Sequence, residues 1–184
     1  YLFSNYYLYI FINLGFFLFH FLNLNKKVTL ENFFYAQDKY VDWNKVYGEK
    51  GFFEIHILVP KNNALNFLKL FFQFCYDNKI FSNLIVLKRL KEKKRGINFM
   101  DDGVAISCDF KINKNYKKIT NFYLKNAKKY GYIFYFAKDG IISNKKYTFD
   151  KEFYKFKSEL KKFNKENKIK SYLSNRVGLT KWKK

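Results

Sequence analysis

The sequence predicts an α+β fold in which helices cover one face of a four-stranded antiparallel sheet. From residue 52 onward, apolar spacings typical of strands and helices alternate in the order strand, helix, strand, strand, helix, strand. This βαββαβ order is the ferredoxin-like arrangement, and right-handed crossovers put both helices on the same face. The 184 residues suffice for one domain with a core. An N-terminal hydrophobic helix and a C-terminal helix complete the predicted architecture.

Four short apolar or alternating stretches are the predicted strands. The first ends at Pro60, because proline lacks the amide hydrogen that a further ladder bond requires. The second leads into a basic connection, and the third alternates apolar and polar residues from Val104 to Ile112. The predicted strands are residues 52–59, 83–90, 104–112 and 132–137.

Three stretches have helical spacing. The first begins at Asn62 or Asn63, a residue type that caps helices, and the second ends at Gly131. The third is lysine-rich and covers residues 149–164. The predicted inner positions are Leu65, Leu68, Phe71, Phe72 and Cys75 in the first helix, Ile119, Phe122, Tyr123, Asn126 and Ala127 in the second, and Phe153, Phe156, Leu160 and Phe163 in the third.

Residues 1–25 are uncharged and rich in aromatic and aliphatic side chains, so they are a candidate membrane span. Asn5, Asn13, Gly15 and His20 interrupt the apolar stretch. No basic segment precedes it and no cleavage site follows it, which argues against a signal peptide. A helix packed on the rest of the protein or on an upstream domain is the other interpretation.

Composition excludes several classes of site. Cys75 and Cys108 lack CxxC spacing, which favours a reducing compartment over a disulfide framework or a zinc site, and two histidines exclude a His-rich metal centre. GxGxxG, GxxxxGKS and GxSxG motifs are absent. The net charge of +21 fits either codon bias in an AT-rich genome or attraction to an anionic partner, and both can hold at once.

Polar residues on different strands share the sheet face opposite the helices. Period-two alternation puts Glu54 and His56 of the first strand on this face, together with Ser107 and Asp109 of the third. Each alone is ordinary on a solvated face, but together they can converge. Lys88 and Lys138 lie where they can reach the same face. A nucleic-acid-binding module is an alternative, which acidic residues at the centre of the platform disfavour.

Several motifs resemble the C-terminal half of FAD-dependent oxidoreductases of the decaprenylphosphoryl-ribose 2-oxidase type, relatives of the aldonolactone oxidases in the vanillyl-alcohol oxidase superfamily. The resemblance covers residues 30–179. The motifs are Phe33-Phe34-Tyr35-Ala36-Gln37-Asp38, Asp42-Trp43-Asn44-Lys45-Val46-Tyr47-Gly48, Gly51-Phe52-Phe53-Glu54-Ile55-His56-Ile57-Leu58-Val59-Pro60, Val86-Leu87-Lys88-Arg89, Tyr135-Phe136-Ala137-Lys138-Asp139 and Ser171-Tyr172-Leu173-Ser174-Asn175-Arg176-Val177-Gly178-Leu179.

The resemblance implies a domain division and a set of site residues. Residues 1–27 would lead out of an upstream FAD-binding domain that this chain lacks, packed rather than membrane-spanning, and residues 28–184 would form a substrate-binding domain that roofs the flavin. Glu54 and His56 stand where the family usually has a Gln-x-Gln pair, and Ser107 stands where it often has cysteine. The implied roles are catalytic for Lys138 and Tyr135, substrate-binding for Lys88, Glu54, His56 and Phe34, and cofactor-binding for Lys138, Ser107 and Ala105.

The implied activity is oxidation of a secondary sugar hydroxyl to a ketone by hydride transfer to FAD. A prenyl-phosphate sugar or an aldonolactone is the expected substrate, and His56 is a hypothetical general base. The upstream domain would bind most of the FAD, so this fragment alone is expected to be inactive. The remaining expectations are no nucleic-acid partner, a cytoplasmic location and a peripheral membrane contact. A small membrane-anchored protein is a further alternative, which the sequence supports less than the nucleic-acid-binding module.

Overall fold

The computed structural model describes residues 6–22, 27–35, 47–92, 96–140, 142–143 and 147–180. The chain divides into two units, Tyr1–Gly51 and Phe52–Lys184. The resembling stretches within residues 36–46 lie outside the described residues, as do the basic residues 93–95 of the connection before the third strand. The division into a hydrophobic leader and a flavin-roofing domain stays a prediction.

The first unit contains two helices in its described part. The helix α1 (Tyr6–Phe21) exposes large apolar side chains in its described part, among them Phe16 and Phe17. The helix α2 (Leu30–Phe34) begins after Thr29, whose hydroxyl oxygen accepts a hydrogen bond from the Asn32 amide. Over the residues that the structure describes, no helix has both the length and the apolar character needed to cross a membrane.

The second unit alternates strands and helices along the chain. Its elements are β1 (Phe52–Pro60), α3 (Lys61–Asn78), β2 (Leu84–Lys91), β3 (Asp102–Lys111), α4 (Tyr116–Tyr130), β4 (Ile133–Phe134), α5 (Lys151–Phe163) and α6 (Tyr172–Arg176).

The four strands form one sheet in the order β2-β3-β1-β4, and every pair of neighbours is antiparallel. In the centre of the sheet, Ser107 of β3 lies opposite His56 of β1 on one side and Val86 of β2 on the other. Glu54 lies opposite Asp109. The predicted α+β class with a four-stranded antiparallel sheet is confirmed.

The core lies between one sheet face and the helices α3, α4 and α5. Alternate residues of the two long central strands point into it, as the period-two pattern predicts. Each fully buried aliphatic or aromatic side chain contributes about 1.5–3 kcal/mol through removal of apolar surface from water. The buried members include Ile55, Ile57 and Val59 of β1, Ile106, Cys108 and Phe110 of β3, Ala64, Phe67 and Phe71 of α3, Ile119, Tyr123 and Ala127 of α4, and Phe153 of α5.

Two predicted helix stripes are partly wrong. In α3 the buried residues include Phe67, whereas Leu65 and Phe72 are 64% and 51% exposed. Nine of the twelve residues from 64 to 75 are apolar, and the polar ones, Asn66, Lys69 and Gln73, recur at helical spacing on the face opposite the buried residues. The polar positions therefore mark the inner face more reliably than the apolar ones do. In α5 only Phe153 is buried, and Phe163 is 87% exposed at the last residue of the helix.

Helix ends follow local chemistry with one exception. The carboxylate of Asp150 accepts a hydrogen bond of 3.0 Å from the Phe153 amide and starts α5. Gly131, with φ of 65°, ends α4 as predicted. The prediction that Asn62 or Asn63 caps α3 is wrong, because α3 already begins at Lys61 after Pro60, and the Asn63 side chain instead donates to the Tyr130 carbonyl oxygen at 3.0 Å.

The fourth strand is much shorter than predicted. It has two residues, paired with Ile57 and Leu58 of β1, where the sequence indicated residues 132–137. The chain then turns, and both the Lys138 and Asp139 amides donate to the Tyr135 carbonyl oxygen, at 3.1 and 2.9 Å. Lys138 therefore lies in a turn beyond the sheet edge rather than at the end of a strand.

Candidate functional site

The sheet face opposite the core, here called the open face, is defined by the strand register. Side chains that share a face lie opposite one another in an antiparallel pair. The open face comprises Glu54, His56 and Leu58 of β1, Ala105, Ser107 and Asp109 of β3, and Leu84, Val86 and Lys88 of β2. Leu58, Ala105 and Asp109 are buried, whereas His56 and Ser107 between them are partly exposed, so this face is covered on both sides of its central row instead of being solvated throughout.

Glu54 is the centre of a polar cluster on the open face. The Ser107 hydroxyl donates a hydrogen bond of 2.5 Å to Glu54 Oε1. Lys138 Nζ donates to the same oxygen at 3.4 Å, and His56 Nδ1 lies 3.4 Å from it. Because the Lys138 side chain is 52% exposed, solvent screens the ion pair and its contribution to stability is small. The importance of the Lys138–Glu54 pair is that it places the ammonium beside the carboxylate on the open face.

Two aromatic side chains enclose His56. The centroids of the Phe99 and Tyr135 rings lie 4.9 and 5.3 Å from that of the imidazole, in edge-to-face arrangements. The Phe99 and Tyr135 rings also contact each other, with centroids 4.8 Å apart. The Tyr135 amide donates to the His56 carbonyl oxygen at 2.8 Å, which extends the β1–β4 ladder by one bond. This bond fixes the start of the turn after β4 beside His56. We define the polar cluster as the five residues Glu54, His56, Ser107, Tyr135 and Lys138.

Burial lowers the pKa of His56 from its ordinary value of 6.5. The Glu54 carboxylate acts in the opposite direction and raises the pKa, while the charges of Lys138 and Lys88 lower it further. His56 is therefore neutral at pH 7. Its Nδ1 is buried and forms no hydrogen bond of good geometry with any described residue, although Glu54 is close. A neutral imidazole in this position can accept a proton.

The structure brings most of the predicted site residues together. Glu54, His56, Ser107, Tyr135 and Lys138 form the polar cluster described above. Lys88 shares the open face but is exposed, and it acts on the cluster through its charge. Ala105 lies opposite Lys88 and is 3% exposed. Phe34 is 70% exposed in the first unit, and its predicted role in substrate binding stays a prediction.

Sequence reasoning missed Phe99. It comes from the connection between β2 and β3, which the sequence indicates only as a short, charged segment. The signal in the sequence was a group of three apolar residues, Ile97, Phe99 and Met100, between charged residues. Phe99 forms one wall of the polar cluster.

Sequence reasoning also missed the anchor of the turn that carries Lys138. Arg176 of α6 forms an ion pair of 3.1 Å with Asp139, whose side chain is 0% exposed. The available signal was an arginine in a C-terminal region whose other basic residues are lysines. Arginine is favoured where a buried carboxylate is bound by more than one donor.

The polar cluster combines an ammonium, a carboxylate and a neutral imidazole beside aromatic walls. Such a group can hold a hydroxyl of a bound molecule, accept its proton and stabilise negative charge. Across the described part of the chain, no three His, Cys, Asp or Glu side chains are grouped so as to hold a metal ion. Comparison of the chain with protein-family models and with curated proteins finds no match in either set.

Proposed function

We propose that residues 28–184 form the substrate-binding domain, with a ferredoxin-like fold, of an FAD-linked oxidoreductase that oxidises a secondary hydroxyl of a sugar to a ketone. The observation that carries the proposal is Lys138, a half-exposed ammonium held 3.4 Å from Glu54 beside a neutral imidazole. The element order and the sheet order β2-β3-β1-β4 agree with the ferredoxin-like arrangement. The motif resemblance supplies the family: the decaprenylphosphoryl-ribose 2-oxidase and aldonolactone oxidase type.

The residues of the polar cluster suit a flavin. A flavin ring needs a positive charge near its polar edge and flat apolar contacts elsewhere. Lys138 supplies the charge, and Tyr135 and Phe99 supply aromatic surface. Lys138 and Ser107 would hold the flavin, and an upstream domain would provide most of the binding. Ala105 is 3% exposed in this chain and has almost no surface left for the cofactor contact that the resemblance implies. When bound, FAD would accept the hydride from the carbon that carries the substrate hydroxyl.

The chain's own residues would orient the sugar and handle the proton. Lys138 would bind the hydroxyl oxygen and stabilise negative charge as it develops there. Neutral His56 would take the hydroxyl proton, directly or through Glu54. Phe99 and Tyr135 would exclude water, which strengthens the electrostatic effect of the ammonium. Lys88, further along the open face, would bind an anionic group of the substrate.

Two substrates share this chemistry. A prenyl-phosphate sugar would use Lys88 for its phosphate and would lie at a membrane surface, where the excess of Lys and Arg favours peripheral contact with anionic lipid. An aldonolactone would need neither contact. A reducing, cytoplasmic location is part of the proposal, and its support is the wide separation of Cys75 and Cys108 in the sequence and their lack of CxxC spacing.

The test is made on the protein expressed from its complete reading frame. We expect flavin absorbance in the purified protein and bleaching of that absorbance on addition of substrate sugar. Lys138→Met should slow the bleaching by about 10²-fold or more, the usual effect of removing one preorganised charge-stabilising group. The control is Lys162→Met, which removes an exposed lysine paired with Glu159 on α5 and should leave the rate unchanged.

Two results would contradict the proposal. One is a complete protein that carries no flavin. The other is bleaching at the wild-type rate in Lys138→Met. Salt-sensitive binding of single-stranded RNA by a flavin-free protein would support the nucleic-acid alternative instead.

A further inference from the structure

The turn that carries Lys138 is attached to the C-terminal helix by a buried set of contacts. Arg176 Nη1 donates to Asp139 Oδ2 at 3.1 Å and to the Ile142 carbonyl oxygen at 3.0 Å. Arg176 Nη2 donates to the Asp139 carbonyl oxygen at 2.5 Å. The guanidinium therefore binds both the side chain and the main chain of the residue that follows Lys138.

The carboxylate of Asp139 accepts hydrogen bonds from two donors. Besides Arg176, its Oδ2 accepts a hydrogen bond of 3.0 Å from the Ile142 amide. The side chains are 0% exposed for Asp139 and 13% for Arg176. A buried ion pair gains little net stability over an apolar pair of the same size, because both charges lose their hydration. What this pair provides is a fixed geometry for the backbone at Asp139 and Ile142.

The helix that presents Arg176 is itself held at both ends. Ser171 and Ser174 form a reciprocal capping box at its start. Beyond its end, the Thr180 hydroxyl donates to Asn175 Oδ1 at 2.8 Å and lies 2.9 Å from the Ser174 hydroxyl. These short side-chain contacts fix the backbone from which the guanidinium extends.

On the other side, Lys138 has little support from the sheet. The strand β4 ends at Phe134, and the backbone from 136 to 138 is a turn closed by bonds to the Tyr135 carbonyl oxygen. The Lys138 side chain is half-exposed, and among the described residues its ion-pair partner is Glu54. The position of its backbone therefore depends on Tyr135 before it and on Asp139 after it.

We infer that Arg176 and Asp139 are positioning residues that hold the turn so that the Lys138 ammonium faces Glu54 on the open face. The positioning itself is a property of this chain. Its consequence for catalysis rests on the proposed function.

The placement of Lys138 is measured by zero-length cross-linking of the 184-residue chain. A water-soluble carbodiimide activates the Glu54 carboxyl group, the Lys138 amine attacks it, an amide bond forms and the urea leaves with one carboxylate oxygen. Mass spectrometry of the proteolysed product quantifies the Glu54–Lys138 amide. We expect it in the wild-type chain, because the two groups lie 3.4 Å apart.

The decisive variant is Arg176→Met combined with Asp139→Asn. It removes both buried charges at once, so no lone charge is left in the core to unfold the protein. We expect the yield of the Glu54–Lys138 amide to fall about tenfold, since reaction between two held groups is sensitive to small displacements. The matched control is Arg89→Met combined with Asp102→Asn, which removes a more exposed Arg–Asp pair and should keep the wild-type yield.

A folded double variant that cross-links at the wild-type yield would overturn the inference. If the double variant does not fold, Arg176→Lys is the test. Lysine keeps the charge but cannot bind the carboxylate and the main-chain carbonyl oxygen of Asp139 at the same time. A reduced yield in folded Arg176→Lys supports the inference, and an unchanged yield refutes it.

The failure of the proposed function is distinguishable from the failure of this inference, because the cross-link needs neither flavin nor substrate. If the complete protein carries flavin, Arg176→Lys should lower kcat with little change in KM, as expected when a group acts mainly in the transition state. A change in KM alone would mean that Arg176 serves substrate binding and does not position Lys138.

Discussion

Ser107 and Glu54 are joined across the centre of the sheet by a 2.5 Å hydrogen bond from the serine hydroxyl to the carboxylate. The bond fixes the oxygen that also lies near Lys138 and His56. One carboxylate oxygen thus sets the arrangement of the polar cluster. The charges of Glu54 and Lys138 act in opposite directions on the pKa of His56, which makes the arrangement measurable in solution.

The first prediction concerns the pKa of His56. We expect a value below 6.5, because burial disfavours the imidazolium. Glu54→Gln should lower the pKa further, since it removes the charge that raises it, and Lys138→Met should raise the pKa. The measurement is an NMR titration of the imidazole Cε1–H signal, assigned with a His20→Asn variant.

The control for this titration is Lys162→Met, which should not move the signal. Shifts of the same sign in Glu54→Gln and Lys138→Met would contradict the geometry of the polar cluster. The linked effect on stability has a defined sign. Folding favours the neutral form of His56. The contribution of His56 to the free energy of unfolding is therefore present above pH 6.5 and is lost as the pH falls below that value.

The second prediction concerns alkaline stability. Burial raises the pKa of the Cys108 thiol from 9.0 to about 12. The unfolded chain loses this proton above about pH 9, whereas the folded chain keeps it. The contribution is therefore full below pH 9 and is lost as the pH rises toward 12, by about 1.4 kcal/mol per pH unit.

Urea unfolding at about pH 8, 9 and 10 tests this slope. Cys108→Ala should make the decrease between about pH 9 and 10 shallower, while the change between about pH 8 and 9 stays nearly the same. Identical slopes in the two proteins would show that the thiol is not shielded. Buried Tyr123 and Tyr132, whose pKa values are also raised, add to the loss at higher pH in both proteins.

The third prediction concerns the free energy of unfolding at the Arg176–Asp139 pair. Arg176→Ala should cost about 3–5 kcal/mol, because it removes one charge of a buried ion pair. Arg89→Ala should cost about 0–1 kcal/mol, because Arg89 and Asp102 form a partly exposed pair. Urea unfolding near neutral pH measures both, and equal costs would contradict the burial of the Arg176 pair.

The fourth prediction concerns Gly103 at the start of β3. A Cβ at this position would overlap the backbone carbonyl oxygen of Val59 on the neighbouring strand. We expect Gly103→Ala to destabilise the protein by about 1–3 kcal/mol through displacement of the β1–β3 pairing. Gly140→Ala is the control, because a Cβ there meets no atom within 4 Å, and it should change stability by less than about 0.5 kcal/mol. A Gly103→Ala variant as stable as the control would refute this close approach.

The sequence predicts those features of the fold that local chemistry determines. Pro60 limits β1 and Gly131 ends α4, each through its own backbone. Alternation along β1 also sorts Ile55 and Ile57 from Glu54 and His56 without any knowledge of the partner strands. The central part of the polar cluster follows from that alternation.

The remaining features depend on contacts between distant residues. The inner face of α3 is not one of these features, because the polar residues Asn66, Lys69 and Gln73 mark the side opposite Phe67 and Phe71. The turn that carries Lys138 is followed by Asp139, whose partner Arg176 is 37 residues further along the chain. Phe99 contacts His56 and Tyr135 of the polar cluster because of the path of a connection that has no periodic pattern.

The distance in sequence between Asp139 and Arg176 has a consequence for the order of events during synthesis. A ribosome adds about 5–20 residues per second, so the arginine follows the aspartate after roughly 2–7 s. During that interval the nascent chain already contains every residue of the sheet, but Arg176, which binds the turn that carries Lys138, has not yet been added. The polar cluster is therefore completed later than the sheet on which it lies.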